Sequence, residues 1–370
     1  MGIVRFLLAL CVVAEHTASH GVLGVQLLSG TTAVQCFYVI SGFLITMVLN
    51  ERAGYRSLGN FYLSRYFRLW PVYIVVAVAS LYVVYWDVMF TQLPKVADWP
   101  AVAFVAISNL TLFFQDWFLF LRLDGSSLLP TSDFASATPP PLHGFLLVPQ
   151  CWSIGVELTF YVIAPFVCRS WRGLSLLFAF GLASRIVTAA LDLPPDPWMY
   201  RFAPSEMLLF SSGGLAYFAG RNLCPRYPLT TKVACVLAMA SIGAVVLGLP
   251  LTNRYSAAAL DHLLILNGPA LVLMTVAAAP LFYATRNSVI DRFIGELSYP
   301  MYVSHLLIQT MLTRQAPSMV TPDNLLYVAV VVTVSALLVL GIVYPIDSLR
   351  KRLASGYTTS RKSLVPAPAE

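Results

Sequence analysis

The chain has 370 residues, of which 58% are hydrophobic and 11% charged, with a formal net charge of +6. Soluble domains carry about 25% charged residues, so this composition excludes a soluble domain with a single anchor and indicates an integral membrane protein throughout. Basic residues collect in the cytoplasmic loops of such proteins, so the positive charge does not indicate nucleic-acid binding. The six cysteines form no CxxC pair, and neither a disulfide framework nor a zinc site is expected.

Eleven apolar segments follow one another along the chain, each a candidate membrane span. Their approximate bounds are 3–22, 29–50, 70–90, 101–121, 151–168, 173–191, 203–220, 231–249, 261–283, 296–313 and 324–346. We expect an all-α polytopic domain over residues 1–347 and a disordered cytoplasmic tail over 348–370. No internal repeat is evident, which argues against a transporter built from inverted repeats.

Basic loops set the expected orientation, because loops rich in arginine and lysine face the cytoplasm. Such loops occur at 51–68, 169–172, 221–232 and 286–292, and the tail is also basic. The first two loops can lie on the same side of the membrane only if an even number of spans separates them, yet three apolar segments lie between them. Segment 101–121 is the most polar of the three, so we expect it to lie re-entrant or interfacial. About ten spans remain, with both termini cytoplasmic; eleven spans are the alternative.

The first segment carries Arg5 near its start and His16 near its end. Eleven residues make about three helical turns, so both side chains fall on one face, about 16 Å apart along the axis. Titratable groups inside a membrane are costly and are often functional. The alternatives are a signal peptide, which the Glu15-His16 pair disfavours, or an ordinary interhelical histidine with an arginine that anchors the helix at the cytoplasmic surface.

Arg65 and Arg68 lie three residues apart before the third segment and share a helical face. They indicate either further cytoplasmic charge or a phosphate site, since arginine binds phosphate through two parallel hydrogen bonds. In the second segment, Ser41 and Gly42 are small residues that favour close helix packing.

A polar stripe follows in CWSIGVELTFYVIAPF, where Ser153, Glu157 and Tyr161 recur every four residues after Trp152. A carboxylate on an apolar helix needs a partner. We expect His16 to be that partner, because both residues would enter from the outer side of the bilayer to a similar depth. Such a pair would hold the imidazole as a general base.

A second stripe consists of Ser298, Tyr302 and His305 in IGELSYPMYVSHLLIQ. Its alternative interpretation is a hydrogen-bonded core histidine. The remaining histidines, at positions 20, 143 and 262, fall in predicted outer loops and are expected to be surface residues.

Taken together, these motifs resemble the membrane acyltransferase-3 family, which includes bacterial O-acetyltransferases of surface polysaccharides. Arg5-x10-His16, FYVISGFL, Arg65-x-x-Arg68, WSIGVE and ELSYPMYVSH occur in the family's order over about residues 3–346. The resemblance implies that His16 is catalytic and that the arginines serve the CoA side. Glu15 departs from the pattern, because an apolar residue is more typical beside the histidine.

The resemblance implies an O-acyltransferase that moves an acyl group, expected to be acetyl, from cytoplasmic acyl-CoA to a hydroxyl of an extracytoplasmic carbohydrate or glycolipid. We hypothesise that Arg65 and Arg68, with Arg5, bind the phosphates of CoA as co-substrate. His16, held by Glu157, would deprotonate the acceptor hydroxyl.

Other residues of the two stripes are expected to assist the transfer. Ser153, Tyr161 or Arg5 would stabilise the oxyanion, and Trp152, Tyr302 and His305 would position substrate. Direct transfer and transfer through an acyl-histidine both stay open. Neither a metal nor a permanently bound cofactor is expected.

The expected location is the bacterial cytoplasmic (inner) membrane, among membrane lipid. Some family members carry an additional soluble esterase-like domain, and this sequence shows none, so a separate periplasmic partner is an option. The alternative function is a proton-coupled transporter or flippase of a lipid-linked sugar, whose path would include Arg185, Glu206, Glu157 and His16. For Arg185 and Glu206, a structural ion pair is the favoured interpretation.

Overall fold

The computed structural model describes residues 1–17, 21–22, 25–134, 141–246, 267–315, 317 and 324–348. These ranges contain a helix for each predicted apolar segment. The helices are α1 (Gly2–Glu15), α2 (Gly30–Glu51), α3 (Leu58–Ser80), α4 (Trp99–Thr111), α5 (Trp152–Val167), α6 (Trp171–Ala190), α7 (Ala203–Arg226), α8 (Pro228–Val246), α9 (Asn267–Thr285), α10 (Val289–Gln315) and α11 (Leu325–Leu338). The predicted tail, beyond residue 348, lies outside the described residues, as do His20 and His262.

Seven helices in the described ranges are long and apolar enough to cross a membrane. They are α2, α3 with its extension to Tyr85, α5, α6, α8, α9 and α11 with its extension to Ser348. The prediction of an all-α polytopic membrane protein is therefore confirmed, while the count of about ten spans stays a prediction. Two short antiparallel hairpins also occur in loops, formed by Gly21–Val22 with Val25–Gln26 and by Leu121–Asp124 with Ser127–Pro130.

The segment predicted to lie re-entrant or interfacial contains the short helix α4. Its 13 residues extend about 20 Å at helical rise, against a hydrocarbon core about 30 Å thick. After α4 the chain turns sharply, with left-handed backbone at Leu112 (φ 70°) and Phe114 (φ 63°). The buried Asn109 amide donates to the Phe145 carbonyl (2.9 Å) and accepts from the Leu147 amide (2.9 Å). The polar side chain of Asn109 therefore holds the following loop in place through hydrogen bonds.

The first two basic loops lie together at one end of the helices. Arg169 donates from Nη2 to the Tyr55 carbonyl (3.0 Å), and the Asn50 amide donates to the Cys168 carbonyl (2.9 Å). This is the arrangement that the charge rule requires of two loops on the same side of the membrane.

Glycines allow α2 and α7 to meet backbone to backbone. A Cβ at Gly42 would lie 1.9 Å from the Phe210 carbonyl oxygen, and a Cβ at Gly213 would lie 1.8 Å from the Val39 carbonyl oxygen. The close packing that Ser41 and Gly42 predicted is confirmed, and it sets the position of Ser41 beside α5.

The first turn of α1 is held against α10. The buried Asp291 carboxylate accepts hydrogen bonds from the amides of Gly2 (2.8 Å) and Ile3 (3.0 Å). It thus pairs two of the N–H groups that have no partner within a helix's first turn. A Cβ at Gly2 would lie 1.5 Å from the Asp291 carbonyl oxygen, so the two helices touch. This contact fixes the helix that carries Arg5 and His16.

We predict that Gly42→Ala lowers the thermal stability of the protein in detergent, because the added methyl group meets the Phe210 carbonyl. Overpacking of this kind costs about 1–3 kcal/mol of the free energy of unfolding. Gly243→Ala on α8 is the matched control, since no atom of the described residues lies within 4 Å of a Cβ there. Thermal unfolding followed by size-exclusion chromatography compares the two, and equal stability would contradict the packing.

Candidate active site

A cavity of about 1540 Å³ lies among α1, α2, α3, α5 and α10. At one end it is lined by the basic loop after α2, and at the other by Ser153 and Tyr302. Its charged lining residues are Arg5, Glu51, Arg52, Arg65, Arg68, Glu157, Arg286, Arg292, Glu296 and Asp347. Six arginines against four carboxylates leave a positive excess, which suits an anionic ligand. In the sequence, the loop with Arg286 and Arg292 indicated only the membrane orientation, and no motif predicted that these two residues line the cavity.

The predicted arginines meet in this cavity. Arg65 is buried, and its Nη2 donates to the Tyr55 hydroxyl (3.4 Å) while its guanidinium lies 5.6 Å from the Tyr55 ring centroid. Its Nε is buried and has no hydrogen-bond partner among the described residues. Arg68 is exposed and lines the same cavity, as does Arg5 from α1. Unused donor groups therefore remain for a ligand.

Glu157 has partners other than the predicted one. It accepts hydrogen bonds from the Ser41 hydroxyl on α2 and from the Tyr161 hydroxyl (2.6 Å) one turn further along α5. Glu157 lines the cavity with Arg5, whereas His16 is not among the lining residues. The predicted His16–Glu157 pair is therefore wrong: both hydroxyl groups bind Oε1 of Glu157, and His16 lies against His305 instead. Helical spacing gave no signal for Ser41, which lies on a different helix.

The two predicted polar stripes meet at the end of the cavity that lies away from the basic loop after α2. The hydroxyl groups of Ser153 and Tyr302 lie 2.6 Å apart, and Tyr302 donates to the Gln150 carbonyl (2.7 Å). The Gln150 amide donates to the Val303 carbonyl (2.6 Å), which ties the start of α5 to α10. The sequence motifs did not indicate Gln150, because it precedes WSIGVE. Two hydroxyl groups thus face the cavity in a fixed arrangement.

His16 lies against His305. The predicted helix over 3–22 ends at Glu15, so His16 lies at the end of α1, where it is exposed. The two ring centroids are 5.0 Å apart and the rings are tilted by 55°. The Nδ1 atom of His16 donates to the Val12 carbonyl (2.9 Å), and that of His305 donates to the Tyr302 carbonyl (2.7 Å). Both rings therefore present Nε2 as the unprotonated nitrogen.

Trp152 packs outside the cavity. The Arg201 guanidinium lies 4.5 Å from the Trp152 ring centroid and 5.1 Å from that of Tyr200, and it binds both carboxylate oxygens of Asp196 (2.6 and 3.0 Å). Trp152 thus anchors the loop before α7 beside Ser153. No sequence motif had indicated a role for Arg201.

The predicted structural ion pair between α6 and α7 is confirmed. Arg185 lies 3.2 Å from the fully buried Glu206 carboxylate, which also accepts from the Gln35 amide (3.0 Å). Buried charges are stabilised by such pairing, so both residues are explained without a transport path.

These features define a helical membrane protein with a polar site at the end of an arginine-lined cavity. The chain belongs to the acyltransferase-3 family, whose family model, described as an acyltransferase domain, matches residues 1–344. This confirms the family that the motifs indicated.

Among curated proteins the chain is similar to the peptidoglycan O-acetyltransferase OatA of Listeria monocytogenes. The two are 27% identical over 331 residues, which cover 84% of this chain and 49% of OatA. The chain thus spans about half the length of the curated relative it matches. No solved structure matches it.

We predict that Ser41→Ala destabilises the protein, because it removes one of the two donors to the Glu157 carboxylate. A hydrogen bond to a charged group contributes about 1.5–3 kcal/mol. Thr159→Ala is the control, since Thr159 is exposed on α5, the helix that carries Glu157, and its hydroxyl donates to the Gly155 carbonyl of that helix. If both variants unfold at the same temperature, the Ser41–Glu157 contact is not a stabilising one.

Proposed function

We propose that the chain is a membrane-embedded O-acyltransferase, which moves an acetyl group from acyl-CoA at the cytoplasmic face to a hydroxyl of an extracytoplasmic carbohydrate or glycolipid. The observation that carries the proposal is the cavity, with arginines at one end and the Ser153 and Tyr302 hydroxyl groups at the other. His305 lies one helical turn beyond Tyr302 and contacts His16. Membership of the family and the likeness to OatA support the same reaction class.

Acyl-CoA fits this cavity by its charge and length. Its phosphate groups would bind Arg65, Arg68 and Arg5, because guanidinium groups bind phosphate oxygens in pairs. The uncharged pantetheine arm, roughly 15–20 Å long when extended, matches the separation of about 16 Å between Arg5 and His16 that follows from helix rise. The thioester would then lie near Ser153 and Tyr302.

The transfer can be written with His16 as the general base. The acceptor oxygen attacks the thioester carbonyl carbon, the new C–O bond forms and the C–S bond breaks. The Nε2 atom of His16 takes the hydroxyl proton and returns it to the CoA sulfur. The Nδ1–H donated to the Val12 carbonyl keeps Nε2 free for this role. We assign His305, in place of Glu157, as the neighbour that positions the His16 ring.

Ser153 would stabilise the oxyanion that develops on the thioester carbonyl, with its hydroxyl turning towards it from its present partners, the Tyr302 hydroxyl and the Gln150 carbonyl. Tyr302, whose proton goes to the Gln150 carbonyl, would position Ser153. Tyr161 would line the path of the pantetheine arm. Trp152 would support this end of the site through the loop that it anchors.

The acceptor and the orientation complete the proposal. We place both termini in the cytoplasm of a bacterium and the protein in its inner membrane, following the basic loops. OatA is named for acetylation of peptidoglycan, so a peptidoglycan glycan is the first acceptor to test. We also include a separate extracytoplasmic partner for the acceptor step in the proposal.

The test is acetyl-CoA turnover by the purified protein in vesicles supplied with a peptidoglycan glycan as acceptor, measured as release of the CoA thiol. We predict that His16→Ala lowers kcat at least 100-fold, since general base catalysis contributes about 100- to 10,000-fold. His143→Ala serves as the histidine control, because His143 packs against Phe134 in a loop.

Full activity of a folded His16→Ala protein would overturn the role of His16. If the wild type consumes no acetyl-CoA, the proposed reaction fails and transport becomes the leading function.

We also predict that Arg68→Gln raises the KM for acetyl-CoA about tenfold, the effect of losing one charge-assisted hydrogen bond. The increase should shrink at high salt, because exposed charges are screened. Arg221→Gln is the control, since Arg221 is also exposed but does not line the cavity. An unchanged KM for the Arg68 variant would remove Arg68 from the CoA site.

A further inference from the structure

We infer that Arg286 and Arg292 form a second arginine pair that binds the 3′-phosphate of the CoA nucleotide. The inference rests on the proposed function and deepens it, because it assigns different phosphate groups of one ligand to different parts of the cavity. Neither arginine belongs to the motifs that indicated acyl-CoA binding.

The two residues lie together where α9 ends and α10 begins. Arg292 donates from Nη2 towards the Arg286 carbonyl (3.5 Å), and the Arg286 guanidinium lies 5.1 Å from the Tyr283 ring centroid. Both line the cavity that Arg65 and Arg68 line from α3. The cavity therefore has arginine pairs on two sides.

The charges of this second pair are available to a ligand. None of the ion pairs within the described ranges involves Arg286 or Arg292. Both side chains are exposed. The cavity carboxylates that follow them along the chain are Glu296 on α10 and Asp347 at the end of the last helix. Since arginine forms paired hydrogen bonds with phosphate, two arginines that line the same cavity where α9 ends and α10 begins suit a terminal phosphate, which offers three free oxygens.

The order of burial along the cavity assigns the phosphates. In acyl-CoA the thioester is followed by the pantetheine arm, then the diphosphate, and last the adenosine with its 3′-phosphate. In the cavity Ser153 is buried, Arg65 is 7% exposed, and Arg286 and Arg292 are exposed. With the thioester at Ser153, the diphosphate reaches Arg65 and its neighbours, and the 3′-phosphate lies furthest out.

The experiment compares acetyl-CoA with 3′-dephospho-acetyl-CoA as substrates of the full-length protein. For the wild type we expect loss of the 3′-phosphate to raise KM about tenfold with little change in kcat, the range of one charge-assisted contact. In the double variant Arg286→Gln/Arg292→Gln, KM for acetyl-CoA should rise to the wild-type value for the dephospho substrate. Removing the phosphate should then have little further effect.

Arg68→Gln and Arg221→Gln separate the alternatives. Arg68→Gln should raise KM for both substrates and keep the wild-type ratio between them, while Arg221→Gln should leave both values unchanged. The single variants Arg286→Gln and Arg292→Gln give intermediate ratios if both residues contact the phosphate, and thermal stability confirms folding.

A wild-type ratio retained in the folded double variant would overturn the inference, as would a wild type that does not distinguish the two substrates. A wild type that turns over neither thioester would instead overturn the proposed function itself.

Discussion

The position of α1 is the constraint on which the proposed site depends. This helix carries Arg5 into the cavity and sets His16 against His305, so any shift of α1 displaces both. The Asp291 carboxylate binds the amides of its first turn, and Gly2 lies against the Asp291 carbonyl with no space for a side chain. Because α10 carries His305 as well, the contact that holds α1 also sets the two histidine rings against each other.

Polar groups along the cavity are arranged in two ways. The hydroxyl and carboxylate groups are paired across helices, as a low-dielectric interior requires: Glu157 with Ser41, and Tyr302 with Ser153. The cavity arginines form no ion pair with a carboxylate in the described part of the chain. One end therefore offers positive charge and the other neutral hydroxyl groups. Acyl-CoA has the matching sequence of features, a polyanionic nucleotide followed by an uncharged arm and a thioester.

Features that depend on short stretches of sequence were predicted well. Each apolar segment contains a helix, and Arg65 and Arg68 share a cavity, because hydropathy and helical spacing are local properties. The pairing of side chains between helices is not local. Spacing on α5 could show that Glu157 needs a partner but not that α2 supplies it, and the first helix ends at Glu15, earlier than the segment 3–22 predicted. The second pair of cavity arginines was missed for the same reason, since only folding brings α10 beside α3.

The most direct test of the account is the membrane face from which acyl-CoA is used. Acetyl-CoA does not cross bilayers, so it can be supplied to one face of sealed vesicles of known orientation, which Arg172→Cys reports through an impermeant thiol reagent. Release of CoA thiol is then measured for each face. The account predicts turnover only when acetyl-CoA is on the face that bears Arg68 and the basic loops. Turnover from the opposite face, or equally from both faces, would contradict it.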